Sequence, residues 1–173
     1  MIRRISKMKI RKILTVPSLC LALVLTVCLM LSCGSGVLKD NVPVRDIAET
    51  VNKALSGIQN LSAADENYIS VQQALPISEC DDYMEMFQTS GVGIDEYGIF
   101  RMKEESGVEG MKSAIQNYID GAKLSFNENY APNEKPKLDN AEIRVFGKYV
   151  VYAVLSEDDK NVLFSALEAA LNG

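Results

Sequence analysis

Residues 140–155 read NAEIRVFGKYVVYAVL and predict a β-hairpin from which the rest of the fold can be worked out. Ala141–Phe146 and Tyr149–Leu155 are rich in β-branched and aromatic side chains, which favour strands. Gly147-Lys148 lies between them as a two-residue turn with glycine first, as a type II′ turn requires. Because loop length and turn type set the register, this hairpin predicts its own residue pairs.

The predicted register divides the hairpin into two faces, since directly opposed residues point to the same side of a sheet. One face is entirely apolar or aromatic and is expected to form the core: Ala141, Ile143, Val145, Val150, Tyr152 and Val154. The other face is mixed and is expected to be solvated. Its aromatic pair beside the turn either stabilises the hairpin or belongs to an interaction patch. That patch would comprise Glu142, Arg144, Phe146, Tyr149 and Val151.

Around this hairpin, apolar residues at helical spacing predict helices over 44–58, 61–75 and 108–122 and from Ser156 to the C-terminal region. Capping motifs at Ser106–Glu109 and Ser156–Asp159 predict where the last two helices begin. Residues 83–89 and 95–102 flank a Gly-rich turn and predict another hairpin, which is the first in chain order. The sequence therefore predicts an α+β fold in which an antiparallel four-stranded sheet has helices packed mainly on one face.

The composition excludes several classes of function. The chain has no histidine, which excludes mechanisms that need imidazole as a base or metal ligand. After Ser32, twelve Lys and Arg stand against twenty-three Asp and Glu, a net charge of −11 that argues against nucleic acid as a partner. Asp81-Asp82 and Glu157-Asp158-Asp159 are expected to be structural, and Glu96 to form a cap or a hairpin salt bridge. We therefore expect no catalytic, metal or cofactor site.

The N-terminal region has the order of a secretory signal. Six cationic residues lie within the first twelve positions, and Ile13–Leu31 follows without a charge. Met30-Leu31-Ser32-Cys33-Gly34 then resembles a bacterial lipobox, in which the cysteine is lipidated before cleavage on its N-terminal side. We predict a signal peptide over 1–32, a lipidated Cys33 with a tether over 33–41, and a single domain over 42–173. A transmembrane anchor and simple secretion are the alternatives.

The predicted signal peptide determines the expected state of each cysteine. Cys20 and Cys28 would be removed with the signal peptide, and Cys33 would be acylated. Cys80 would then have no partner for an intramolecular disulfide. Because no cationic cluster surrounds it in the sequence, Cys80 is expected to be a small buried hydrophobic residue rather than a reactive thiol.

Four short motifs carry a resemblance to a known family: Asp95–Phe100, Tyr130–Pro132, Leu138–Ala141 and Gly147–Val150. Together they resemble a family of short lipoproteins of Gram-positive bacteria, catalogued as domain of unknown function 4358. The resemblance implies a membrane-tethered α+β domain of uncharacterised role. It provides no catalytic residue that could be assigned to this sequence.

Two classes of function remain. The first is a non-catalytic binding or interaction module, tethered by lipid to the outer face of the cytoplasmic membrane. Its partner would be an envelope protein, a cell-wall component or a small ligand. The alternative is a cell-envelope hydrolase that uses carboxylates alone. The lack of histidine, tryptophan and a convincing carboxylate pair in the sequence favours the binding module.

Overall fold

A computed structural model describes residues 38–58, 60–89 and 91–172 of the chain. The predicted signal peptide, the lipobox and Cys33 lie outside these residues. From Leu38 onward the chain forms one compact unit, which begins four residues before the predicted domain boundary. No helix within the described ranges is both long enough and apolar enough to cross a membrane.

The five strands of this unit form a single antiparallel sheet in the order β1-β2-β3-β5-β4. Their bounds are Leu61–Ala63 (β1), Cys80–Gln88 (β2), Glu96–Met102 (β3), Glu142–Phe146 (β4) and Tyr149–Val154 (β5). The helices are Val44–Ala54 (α1), Val108–Ser125 (α2), Lys135–Asp139 (α3) and Glu157–Asn172 (α4). Single helical turns lie at Tyr68–Gln72, Ile77–Glu79 and Glu105–Gly107. The α+β class and the antiparallel sheet are therefore as the sequence predicted.

The β4–β5 hairpin has the predicted register. Phe146 pairs with Tyr149 and Val145 with Val150. Gly147 has a φ of +57°, a left-handed conformation that glycine adopts without steric cost. The Ser156 cap of α4 is also present, because the Asp159 amide donates to Ser156 Oγ at 3.2 Å.

The sheet has five strands rather than the predicted four. Leu61–Ala63, which was predicted to open a helix, instead pairs as a short edge strand with β2. The helical turn starts later because Asp65 Oδ1 accepts the Tyr68 amide at 2.8 Å and so acts as the cap. The predicted capping box at Ser106 does not form either. Helix α2 is preceded by Gly107 without a side-chain cap, and Glu109 pairs with Lys112 at 3.0 Å.

Helices cover both faces of the sheet, which corrects the prediction that they pack mainly on one. On the face that we call the α4 face, α1 and α4 cover Tyr97, Ile99, Tyr149, Val151 and Ala153. On the opposite face, called the α2 face, α2 and α3 cover Phe100, Met102, Val150, Tyr152 and Val154. The sheet is therefore the middle of three layers.

The predicted interaction patch on the second hairpin lies on the buried α4 face, so the prediction of a solvated face was wrong. Tyr149 and Val151 are fully buried, because β5 is an interior strand of the sheet and α4 packs over it. Phe146 packs against Phe164 of α4, with ring centres 6.5 Å apart. The remaining two residues of the patch, Glu142 and Arg144, lie at the edge of the sheet on the α4 face. Arg144 stacks 3.9 Å above the Phe164 ring and bonds Glu142 at 2.6 Å.

Cys80 is buried at the start of β2, as predicted, with its Sγ 3.8 Å from Met102 Sδ. Burial raises the pKa of its thiol to about 12. A thiol that stays protonated is a poor nucleophile. Cys80 is therefore part of the core packing.

Candidate functional site

A cleft of about 470 Å³ opens on the α2 face. It lies between the β2–β3 connection and the C-terminal end of α2, with the 126–131 loop on its other side. The volume falls within the range of small-molecule sites. Five aromatic residues contribute to its walls: Tyr68, Phe87, Tyr118, Phe126 and Tyr130. Among the described lining residues there is no lysine or arginine.

The rim of the cleft is held by polar contacts between the β2–β3 connection and α3. Lys137 Nζ lies 2.8 Å from Asp95 Oδ1 and 2.9 Å from Glu134 Oε2. The same Glu134 oxygen accepts the Ile94 amide at 3.1 Å. One lysine therefore faces two carboxylates, and this network fixes the connection that forms one wall.

The aromatic side chains are packed against one another. The Tyr68 and Phe87 rings are stacked, with centres 4.8 Å apart and planes 10° apart. Tyr118 of α2 meets Tyr152 of β5 edge to face, with centres 6.2 Å apart. These are favourable aromatic geometries, which stabilise the positions of Tyr68, Phe87 and Tyr118 in the walls.

A group of polar side chains lies beneath the cleft, and we call it the carboxyl cluster: Gln73, Glu85, Glu96, Tyr118 and Tyr152. Glu85 of β2 is 1% exposed and Glu96 at the start of β3 is 8% exposed. The β2–β3 register places Phe87 opposite Glu96 and Glu85 opposite Gly98. Since residues two apart on a strand share a face, both glutamates point towards α2.

A single amide nitrogen bridges the two glutamates. Gln73 Nε2 donates to Glu85 Oε1 at 2.8 Å and to Glu96 Oε1 at 3.2 Å. Gln73 reaches this position because the Tyr68–Gln72 helical turn packs its C-terminal end over the α2 face of the sheet. The two carboxyl groups are thus held close together in an environment with little water.

Glycine at position 98 makes room for the cluster. Gly98 lies between Glu85 and Tyr152 in one row of the sheet. A Cβ atom there would lie 2.5 Å from Tyr152 Cε1 and 2.6 Å from Phe100 Cε2, closer than van der Waals contact allows. The missing side chain therefore lets the Tyr152 ring lean across β3, where its hydroxyl donates to Glu96 Oε1.

The two glutamates differ in their hydrogen bonds. Glu96 Oε1 accepts hydrogen bonds from the Tyr152 hydroxyl and the Gln73 side-chain amide. Glu96 Oε2 accepts one from the Tyr118 hydroxyl at 2.9 Å. Glu85 receives Gln73 alone on Oε1, and its buried Oε2 has no partner among the described residues. Three donors stabilise the ionised form of Glu96. Glu85 has one donor, so its burial favours the protonated form.

The ionisation of the pair follows from these contacts. Burial, and then the negative charge of Glu96, raise the pKa of Glu85 to about 8. Burial also raises the pKa of Glu96, but its hydrogen bonds from Tyr152, Tyr118 and Gln73 oppose this effect. Glu96 therefore ionises first, and Glu85 keeps its proton at neutral pH. Burial raises the pKa of Tyr118 and Tyr152 as well, so both remain hydroxyl donors.

The two glutamates also differ in whether they line the cleft. Glu96 and Tyr118 line the cleft, whereas Glu85 does not. A molecule in the cleft would therefore meet the ionised carboxylate, with the neutral one behind it. Within the described ranges, no three acidic, cysteine or histidine residues are grouped so that they could hold a metal ion.

Four residues of the two predicted acidic runs have structural contacts, as the sequence predicted. Asp82 Oδ2 accepts the Val44 amide at the start of α1 at 2.7 Å, and Asp81 pairs with Arg101 at 2.9 Å. Glu157 pairs with Lys160 at 2.8 Å, and Asp159 joins the Ser156 cap. The prediction for Glu96 was wrong, because its partners are buried hydroxyl and amide groups rather than a cap or a cation.

Sequence reasoning missed Glu85 and Gln73 as partners of Glu96. A signal was available for Glu85, since the predicted first hairpin puts it across from the strand that carries Glu96. No pattern indicated Gln73, because it follows an irregular helical turn that periodicity does not reveal.

Residues 75–155 match the family model described as Domain of unknown function (DUF4358). The matched range contains strands β2 to β5 and helix α2, and with them Glu85, Glu96, Tyr118 and Tyr152. No curated protein and no solved structure matches the chain. From residue 75 to residue 155, the chain is thus similar to Domain of unknown function (DUF4358), in agreement with the resemblance that its short motifs indicated.

Proposed function

We propose that this chain is a non-catalytic binding module, anchored by lipid at Cys33 to the outer face of the cytoplasmic membrane. The observation that carries the binding role is the cleft on the α2 face, which has aromatic walls and ends at the buried Glu96 carboxylate. Sites for small ligands combine apolar walls with a few placed polar groups in this way. The cleft rather than the β4–β5 hairpin is therefore the proposed binding surface.

The contacts of the two glutamates favour binding over hydrolysis. A hydrolase that uses carboxylates needs one acid and one base that both reach the substrate. Glu85, the protonated member, lies outside the cleft lining and is 1% exposed. Glu96 is already the acceptor of three internal hydrogen bonds, which weaken it as a base. The pair is therefore suited to fixing a single negative charge, on Glu96, at the cleft.

The anchor is proposed from the sequence. Six cationic residues, an uncharged stretch and Ser32-Cys33 occur in the order of a lipoprotein signal. Two esterified acyl chains on one cysteine suffice for stable membrane attachment. The cleft would then face molecules outside the cytoplasmic membrane, among them envelope proteins and wall components.

The binding role can be tested with a panel of fragment-sized cationic, neutral and anionic compounds and the purified full chain in detergent. Protein-detected NMR should find at least one compound whose shift changes map to the cleft. Ala122→Phe places a ring in the cleft lining and should abolish these changes. Ala169→Phe, at an exposed position on α4, is the matched control and should leave them intact. If no compound maps to the cleft, the proposed function is wrong.

The anchor has its own test in cells. Cys33→Ala should prevent labelling by a radioactive fatty acid and leave the uncleaved precursor, because the thiol that accepts the lipid is gone. Cys80→Ala should keep both labelling and processing. Unchanged labelling in the Cys33 variant would contradict the anchor and leave the binding role unaffected.

A further inference from the structure

We infer that the cleft on the α2 face takes a small organic cation, namely a protonated amine on an apolar or aromatic body. This inference rests on the proposed binding function and adds the class of ligand. Three features of the cleft support it: the charge of its lining and rim, an acceptor site left open on Glu96, and the aromatic walls.

The charge around the cleft is negative. Asp95 and Glu96 line it, and among the described lining residues no cationic side chain opposes them. Lys137 stands behind the rim, but it is shared between Asp95 and Glu134, which leaves that network one negative charge in excess. Glu96 has no cation within salt-bridge distance in the described part of the chain; its partners are hydroxyl and amide groups. A cationic ligand would supply the missing counter-charge.

Glu96 also has room for one more donor. A carboxylate has about four lone-pair sites for hydrogen bonds. Tyr152 and Gln73 occupy two on Oε1, and Tyr118 occupies one on Oε2. The open site is thus on Oε2, the oxygen bonded to Tyr118, which itself lines the cleft. An ammonium group carries donors and no acceptor, so it matches this site.

The aromatic walls favour a positive charge for a separate reason. The face of an aromatic ring is negative and attracts ammonium groups within about 6 Å of the ring centre. Tyr68, Phe87 and Tyr118 lie around the end of the cleft where Glu96 is found. The same rings would contact an apolar or aromatic body, whereas an anionic ligand would meet repulsion from both the rings and the carboxylate.

Three matched probes test this inference: 2-phenylethylammonium as the cation, 2-phenylethanol as its neutral counterpart and phenylacetate as the anion. Each is titrated into the full chain in detergent at pH 7 and followed by protein-detected NMR. The cation should bind at the cleft at least about tenfold more tightly than the alcohol, which corresponds to one charge-assisted hydrogen bond. Phenylacetate should bind more weakly still.

Two isosteric variants locate the effect. Glu96→Gln removes the charge that the cleft exposes, and the preference for the cation over the alcohol should fall to less than about threefold. Glu168→Gln removes a charge at an exposed position on α4, away from the cleft, and the preference should be retained. Equal binding of the alcohol at the cleft, or a preference that survives Glu96→Gln, would overturn the ligand class while the binding role stands. If none of the three probes maps to the cleft, this ligand class is wrong, and the wider compound panel decides on the binding role.

Discussion

The two faces of the sheet are built from neighbouring residues of the same strands, yet they are used differently. On the α4 face, the buried side chains of the strands are apolar or aromatic, and the Tyr97 and Tyr149 hydroxyls donate to Asn52 Oδ1 and Val42 O at its margin. On the α2 face, two glutamates lie beneath a helix beside a cleft. Burying carboxyl groups reduces stability unless each is paired. The α4 face therefore contributes to stability through close packing, whereas the α2 face carries the cleft that we propose for binding.

The largest effect is expected on the α4 face. Phe164→Ala removes a buried ring that packs against Phe146 and lies beneath Arg144. The free energy of unfolding should fall by about 3–5 kcal/mol, as for other buried aromatic residues. Val162→Ala, at a largely exposed position on the same helix, should change it by less than about 0.5 kcal/mol. Denaturant unfolding of both variants provides the measurement, and a loss below 1 kcal/mol for Phe164→Ala would contradict the assignment of this face.

The next largest effect is a pH dependence of the free energy of unfolding, and it arises on the α2 face. In the folded protein the pKa of Glu85 is about 8, against an ordinary value of 4.5. Between these pH values the folded state binds more protons than the unfolded state, so stability falls as pH rises. The free energy of unfolding should decrease by about 2–4 kcal/mol from pH 5 to 8 and then level off.

Two variants assign this pH dependence. Glu85→Gln cannot titrate and should make the decrease much smaller, leaving the part that the raised pKa of Glu96 contributes. Glu168→Gln, at an exposed position on α4, should retain the full decrease. Unfolding curves at several pH values distinguish the two results. A decrease that survives in full in Glu85→Gln would mean that other groups cause it.

A smaller effect on stability is expected from a substitution at Gly98 in β3. Gly98→Ala places a methyl group against the Tyr152 and Phe100 rings, which must move. We expect a loss of about 1–3 kcal/mol, as for overpacked cores. Gly110→Ala in α2 meets no atom within 4 Å and should stabilise the protein by about 0.4–1 kcal/mol. Thermal unfolding of the two variants should therefore shift in opposite directions, and a shift in the same direction would contradict the packing around Gly98.

The sequence predicted local structure better than long-range packing. The β4–β5 register follows from Gly147-Lys148 and an apolar alternation, so it could be derived from sixteen residues. The solvated face was mispredicted because Glu142 and Arg144 are polar. They pack at the edge of the sheet, where the Arg144 guanidinium lies over the ring of Phe164, a residue that the hairpin sequence does not contain.

The carboxyl cluster was harder to predict, since its five residues come from five separate segments of the chain. Glu96 was expected to form a cap or a hairpin salt bridge. The actual partners, Tyr152, Tyr118 and Gln73, are brought to it by strand order, helix packing and an irregular turn. None of these contacts leaves a periodic pattern in the sequence.

The α2 face holds one ionised carboxylate at the cleft and one protonated carboxyl behind it. The most direct test is a ¹³C NMR titration of the glutamate carboxyl carbons, with Glu85→Gln and Glu96→Gln for assignment. The structure predicts a Glu85 midpoint near pH 8, with Glu96 ionising at a lower pH. Midpoints near the ordinary value of 4.5 for both residues would contradict this ionisation order, because they would mean that water and counter-charges reach the pair.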